Sequence, residues 1–232
     1  MIRFAKLPLE FDTATAKKEL ELVGKEWISH FNKVNYDGSW KVLALRSPGG
    51  QHQNIVPELM SFKSYENTPF MENFRSVKHL VNQFQCPVMS VRFLNLHAGA
   101  MIKPHIDTDL CFEKGEARLH FPVQTNPEVE FIIDGDRVNL NEGDCWYLNA
   151  NLTHSVVNRG DKDRIHLVID CMVNDWLTTI MNAAEEISTK PDFTKRELEL
   201  MIAQLRCHGN EISDKMALEF EQQLMQYDAD RQ

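Results

Sequence analysis

No stretch of the 232-residue chain approaches the roughly 18 uninterrupted apolar residues of a membrane-spanning helix, which argues against a helical membrane protein. The opening MIRFAKLPLEFDT lacks a signal-peptide core, so no secretory leader is expected. No run of lysine and arginine is long enough to make a basic patch, and the net charge is −9, which disfavours binding to nucleic acid or to an anionic membrane. Cysteine is sparse. Cys86, Cys111, Cys145, Cys171 and Cys207 are odd in number and irregular in spacing, which predicts no disulfide framework and a reducing, cytoplasmic compartment. The chain also lacks internal repeats and low-complexity tracts.

What remains is ordinary soluble composition, 43% hydrophobic and 25% charged, in a chain long enough for one domain with an appendage. Leu20, Val23, Trp27 and Phe31 mark a helical stripe over 13–32, capped at Asp12 or Thr13 and followed by an Asp37-Gly38 turn. A strand is predicted over 41–46, then a long polar loop over 47–68 of the kind that serves as a lid. A second helix is predicted over 69–84. From Pro87 to Met172 the pattern changes to short β-rich runs at 88–97, 117–124, 129–133, 137–140, 144–149, 153–158 and 164–171, punctuated by Asp134-Gly135, Glu142-Gly143 and Arg159-Gly160. This pattern predicts a mainly β fold, a jelly roll of double-stranded β-helix or cupin-like type.

Helical signals return afterwards, over 174–187, from a Thr194/Glu197 capping box, and along Ile212, Met216, Phe220 and Leu224. The expected organisation is a jelly-roll domain with N-terminal helices over 1–173 and a helical extension over 174–232. Oligomeric state is left open.

The residues that carry chemistry are sparse and ordered. His105 and Asp107 lie two apart, His154 follows 47 residues after Asp107, and Arg164 ten residues later. Two imidazoles and one carboxylate form the ligand set of a facial triad for ferrous iron, with open positions opposite. Zinc competes for the same ligand types. The arginine sharpens the choice, because a structural zinc site has no use for a guanidinium, whereas a ligand carboxylate does. Strand alternation adds to the pattern. Arg118 and His120 share one face of ARLHFPV, and Arg164 and His166 share one face of RIHLVID, each opposite an apolar face. A polar interior of this kind is costly unless it binds something. Asp109 is a nearby competitor for Asp107, and Arg46, Arg92 and Arg118 are candidates for a substrate carboxylate. Trp146 reads as core, and Cys111 has no partner base that would make it a nucleophile.

The runs RFLNLHAGAMIKPHID, RLHFPVQTNP, GDCWYLNANLTHSVVNRG and DRIHLVID resemble the aspartyl/asparaginyl β-hydroxylase-like branch of the iron(II)/2-oxoglutarate dioxygenases, which includes bacterial hydroxylases of free proline. The resemblance covers about 88–172, with a weaker echo in WKVLALRSPGG. By motif it places His105, Asp107 and His154 on the metal ligands and Arg164 on the anchor of the distal 2-oxoglutarate carboxylate. Arg118 and His120 fall on an Arg-x-His pair near the cosubstrate. The animal enzymes of the branch carry glycine where this chain has Asp107, so the resemblance leans towards the bacterial small-molecule enzymes and away from related halogenases. It implies Fe(2+), 2-oxoglutarate and O2, and hydroxylation of an unactivated C–H bond of a free amino acid or similar small molecule. A hydroxylase of a protein residue, a cupin-like metal-binding sensor and a zinc-dependent hydrolase or isomerase are the competing readings.

Overall fold

The computed structural model describes residues 1–24, 26–55, 64–190 and 193–229. In chain order the first elements are β1 (Ile2–Leu7), α1 (Thr13–Glu21), β2 (Ile28–Ser29), β3 (Tyr36–Asp37), β4 (Trp40–Pro48), β5 (Tyr65–Asn67) and α2 (Arg75–Val81). The β-rich middle contains β6 (Val88–Leu96), β7 (Met101–His105), β8 (Glu116–Gln124), β9 (Val129–Ile133), β10 (Asp136–Val138), β11 (Cys145–Leu148), β12 (His154–Asn158) and β13 (Arg164–Met172). The remainder is α3 (Asp175–Asn182), β14 (Glu186–Thr189), α4 (Lys195–His208) and α5 (Glu211–Ala229).

The strands form two antiparallel sheets. The nine-stranded sheet runs β14-β1-β11-β8-β13-β6-β4-β2, with β5 paired to β4, and the five-stranded sheet runs β10-β9-β12-β7-β3. This is the expected jelly roll. The larger sheet has two chemically different faces. Leu119 and Phe121 of β8, Leu167 and Ile169 of β13 and Phe93 of β6 join a core closed by Ala16 of α1, Val77 and Leu80 of α2, and Leu177 and Met181 of α3. The alternate residues of the same strands face the smaller sheet, and there the polar side chains gather.

Several expected boundaries move, each for a visible reason. The helix expected over 13–32 ends at Glu21, because the chain turns at Gly24 with φ +62, and Trp27 and Phe31 lie outside it. Its buried Glu19 accepts hydrogen bonds from the Arg75 N–H at 2.8 Å and from the Ser76 hydroxyl, and so caps α2. The helix expected over 69–84 is a 3-10 turn at Pro69–Asn73 and then α2, broken where Phe74 takes φ −115, ψ 79 and buries its ring 5.1 Å from Phe93. Strand β1 has no counterpart among the expectations. The Asp37-Gly38 turn is present, and a Cβ on Gly38 would lie 2.8 Å from that of Ala100, so glycine lets this turn meet the start of β7.

The barrel unit runs from Ile2 to Thr189, so α3 and β14 belong to it and not to the C-terminal extension expected from 174 onward. The reason is that β14 pairs with β1. A separate unit holds the α4–α5 pair. There Thr194 and Glu197 form the expected capping box. The expected stripe on α5 is displaced: Ser213 and Ala217 are buried, whereas Ile212 and Met216 are exposed. All five cysteines are free thiols. Among the described residues no helix is long and apolar enough to cross a membrane.

Candidate active site

A cavity of about 250 Å³ opens between the two sheets. Arg92 and Leu94 of β6, Arg118 and His120 of β8 and Asp170 of β13 line one wall; His105 of β7, Phe131 of β9 and His154 of β12 line the other. His154 and His105 are cross-strand partners, and Asp107 follows β7 where its N–H donates to the Ala150 carbonyl at 2.9 Å. One ligand atom from each of His105, Asp107 and His154 lies within 4.8 Å of the others.

The hydrogen bonds around these three fix their polarity. Nδ1 of His105 lies 2.8 Å from the Lys103 carbonyl and Nδ1 of His154 lies 2.9 Å from the Leu152 carbonyl. A carbonyl can only accept, so in the neutral rings Nδ1 carries the proton and the Nε2 lone pair is left for a cation. Burial, with His105 adding to it, pushes His154 down to about 4, so it is neutral at physiological pH. Burial disfavours ionisation of Asp107, but Arg118 and the two imidazoles more than offset it and hold its carboxyl below the ordinary range. Two imidazoles with Nε2 turned from their carbonyl partners, together with an ionised carboxylate, are a donor set that fits a divalent transition metal.

Asp170 organises the polar wall. Its Oδ2 accepts from Ser90 Oγ and Arg92 Nη2, both at 2.6 Å, and its Oδ1 accepts from Arg118 Nε at 2.7 Å. Arg118 also donates to Asp107 Oδ2. Arg118 therefore faces protein carboxylates rather than an open ligand position, and Arg92 is likewise paired, with a second bond to the Ile55 carbonyl at 3.1 Å. Alternation from Arg164 through His166 and Val168 leads to Asp170, so the same reading that singled out Arg164 could have found it, had it been carried past Ile169. The aromatic part of the wall was not anticipated: His30 stacks on Trp40 at 3.6 Å, and this contact joins segments with no shared periodicity.

Arg164 differs from the buried Arg92 and the half-buried Arg118. It is 2% exposed, and among the described residues no carboxylate lies within ion-pair distance. Its Nη2 lies 3.0 Å from His166 Nδ1, its Nε has no partner, and its Cζ lies 5.8 Å over the ring of Phe131. Phe131 in turn stacks on His154 with centroids 6.4 Å apart. Burial alone lowers Arg164 to about 9. His120 is buried beside this group, 5.8 Å from His166, with Nδ1 unpartnered.

The remaining candidates fall elsewhere. Arg46 donates to the Val88 carbonyl and to Asn67 Oδ1, away from the cavity, so it serves the β4–β5 hairpin. Asp109 is exposed, has φ +67 and pairs with Lys114 at 2.6 Å, which turns it from the two histidines. Trp146 is buried beside Phe4, as a core residue should be. Cys111 is buried, with its thiol pushed up by burial, the opposite of an activated nucleophile. The expected lid over 47–68 is described only in part: Pro48 and residues 65–67 belong to the β4–β5 pairing, and 56–63 lie outside the described residues.

A two-sheet jelly roll with a His-Asp-His cluster between its sheets presents a donor set for a divalent metal. Residues 10–173 match the aspartyl/asparaginyl beta-hydroxylase family, and the chain belongs to that family. Among curated proteins it is similar to an L-proline cis-4-hydroxylase of Rhizobium meliloti (strain 1021), 24% identical over 197 residues, covering 83% of this chain and 69% of the relative. Among solved structures it is similar to the non-heme alpha ketoglutarate dependent epimerase SnoN, at 12% identity and TM-score 0.48, covering 74% and 76% of the two chains. It is also similar to the viral collagen prolyl hydroxylase vCPH of Paramecium Bursaria Chlorella virus-1, at 10% identity and TM-score 0.43, covering 75% and 96%. These two structures are distant likenesses, too remote to transfer a ligand or a reaction.

Proposed function

We propose that this protein is an iron(II)- and 2-oxoglutarate-dependent dioxygenase that hydroxylates an unactivated C–H bond of a free amino acid or similar small molecule. The observation that carries the reading is the pairing of a His105–Asp107–His154 donor set with a buried Arg164 that has no carboxylate partner among the described residues, the two linked through Phe131, which lies by Arg164 and stacks on His154. A buried cation without an acid is costly unless an anion arrives to meet it, and a dicarboxylate chelating the metal at one end would bring that anion.

His105, Asp107 and His154 would hold the ferrous ion. When bound with 2-oxoglutarate and O2, iron supplies the oxidising chemistry that converts C–H to C–OH as the cosubstrate becomes succinate and carbon dioxide. The chain's own residues do the rest. Arg118 occupies one oxygen of Asp107, leaving the other for the metal. Arg164 would take the distal carboxylate in a charge-assisted pair. Leu94, Ile102, Phe131, Ile133, Leu148 and Val156 give the cavity an apolar lining that limits water around the reacting centre. The similarity to an L-proline cis-4-hydroxylase supports an amino-acid substrate.

The test is an anaerobic titration of the iron-loaded protein with 2-oxoglutarate, followed by free L-amino acids including L-proline. The expected result is a metal-to-ligand charge-transfer band that one or more amino acids perturb, and under oxygen a product heavier by one oxygen atom with matching succinate. A band that responds only to peptides would move the substrate to a protein residue. No band, with metal bound, would overturn the cosubstrate assignment.

A further inference from the structure

Three arginines lie in the layer between the sheets, Arg92 and Arg164 buried and Arg118 half-buried, and two of them are neutralised from within: Arg92 and Arg118 share Asp170, and Arg118 also pairs with Asp107. Among the described residues Arg164 has no carboxylate partner; the Phe131 ring and the Nδ1 atom of His166, itself 1% exposed, lie beside it. A guanidinium has no lone pair to offer, so in this contact Arg164 donates and His166 accepts. That fixes the tautomer: the His166 proton sits on Nε2.

We propose that His166 is a positioning residue for Arg164, whose imidazole aims the guanidinium without cancelling its charge and so keeps the full cation for the distal carboxylate of the cosubstrate. The inference rests on the 2-oxoglutarate reading above. A carboxylate at 166 would also orient the arginine, but it would neutralise it, as Asp170 and Asp107 together do for Arg92 and Arg118. A protonated histidine would turn an N–H towards the cation. Burial, and then the charge of Arg164, hold His166 in its neutral form. The ring has a second use. His166 also lines a cleft of about 630 Å³ with Arg137 and Asn139, so its bulk separates the guanidinium from that space.

The test compares wild type with His166→Leu, His166→Asn and His166→Asp in the anaerobic iron–2-oxoglutarate titration, with circular dichroism to verify folding. Leucine keeps bulk but cannot accept, and should weaken 2-oxoglutarate binding roughly tenfold. Asparagine restores an acceptor and should recover affinity to within about threefold of wild type. Aspartate orients but neutralises, and should weaken binding at least as much as leucine. Independently of the variants, ¹⁵N-correlated NMR of the wild-type protein should show His166 protonated on Nε2 alone. A proton on Nδ1, or equal affinity in all three variants while wild type binds, overturns the His166 role and leaves the cosubstrate reading standing. Absence of a band in wild type overturns the cosubstrate reading and this inference with it.

Discussion

Asp107 divides its carboxylate between two neighbours: Oδ2 accepts from Arg118 Nη1, and Oδ1 lies 3.8 Å from His105 Nε2. The arginine is held in turn by Asp170, which is buried and bound to Ser90 and Arg92. The orientation of one proposed metal ligand thus depends on a hydrogen-bonded ion network running across β8, β13 and β6. Such outer partners of a ligand tune both affinity and geometry.

Arg118→Met should therefore do two things at once. It leaves Asp170 and Asp107 short of a cation, and the loss of one partner from a buried pair costs about 3 kcal/mol of unfolding free energy. It should also weaken iron binding by roughly 10- to 100-fold, the range for loss of an outer-sphere partner. Chemical denaturation and anaerobic iron titration measure the two effects. A variant with wild-type iron affinity would mean that Asp107 needs no such support.

His105→Ala and Asp107→Ala should each abolish metal-dependent succinate formation; His105→Ala should change stability little, because its side chain lies at the cavity wall outside the apolar core, whereas Asp107→Ala also takes a carboxylate from Arg118 and should destabilise. Succinate formation at the wild-type rate in either purified variant would remove that residue from the proposed ligand set.

The parts of this architecture legible in the sequence are those that depend on local periodicity. Period-two alternation in ARLHFPV and RIHLVID separates Leu119, Phe121, Leu167 and Ile169, which join the helix-covered core, from Arg118, His120, Arg164 and His166, which face the other sheet. The spacing of His105, Asp107 and His154 singled out three residues that the fold does bring together. What eluded the sequence depends on distant partners. Strand β1 is set by its pairing with β11, far along the chain. The cavity's stacked His30 and Trp40 meet only because β2 pairs with β4. On α5 a spacing of four selected Ile212 and Met216, whereas the buried positions are Ser213 and Ala217, one residue further on.

Arg164→Met offers a contrast to Arg118→Met. Among the described residues Arg164 has no acid to abandon, and removing an uncompensated buried charge relieves desolvation. The unliganded variant should be at least as stable as wild type, yet its 2-oxoglutarate requirement should rise by roughly 100-fold, since a charged anchor is lost. Thermal unfolding without cosubstrate and the dependence of turnover on 2-oxoglutarate read the two effects separately. A destabilised variant with an unchanged requirement would make Arg164 a structural residue and shift the anchor to another cation.

Stability should also fall on mild acidification, before carboxylates protonate in bulk. Burial holds His120 and His166 well below the ordinary histidine range, and His30 is lowered to about 4 by burial and then by Arg92. Each of these groups binds a proton more readily in the unfolded chain, whose histidines titrate near 6.5. The unfolded state therefore holds more protons once pH drops below about 6.5, and stability rises with pH across that window. For a fully buried imidazole the slope is ~1.4 kcal/mol per pH unit, continuing down to its folded-state value. Urea denaturation of the metal-free protein between about pH 7 and pH 5 should show a falling midpoint at constant m-value. His166→Asn should flatten this dependence, because it removes one buried titrating ring and keeps an acceptor for Arg164. An unchanged slope in that variant would mean that His166 is not held neutral by its burial beside the arginine.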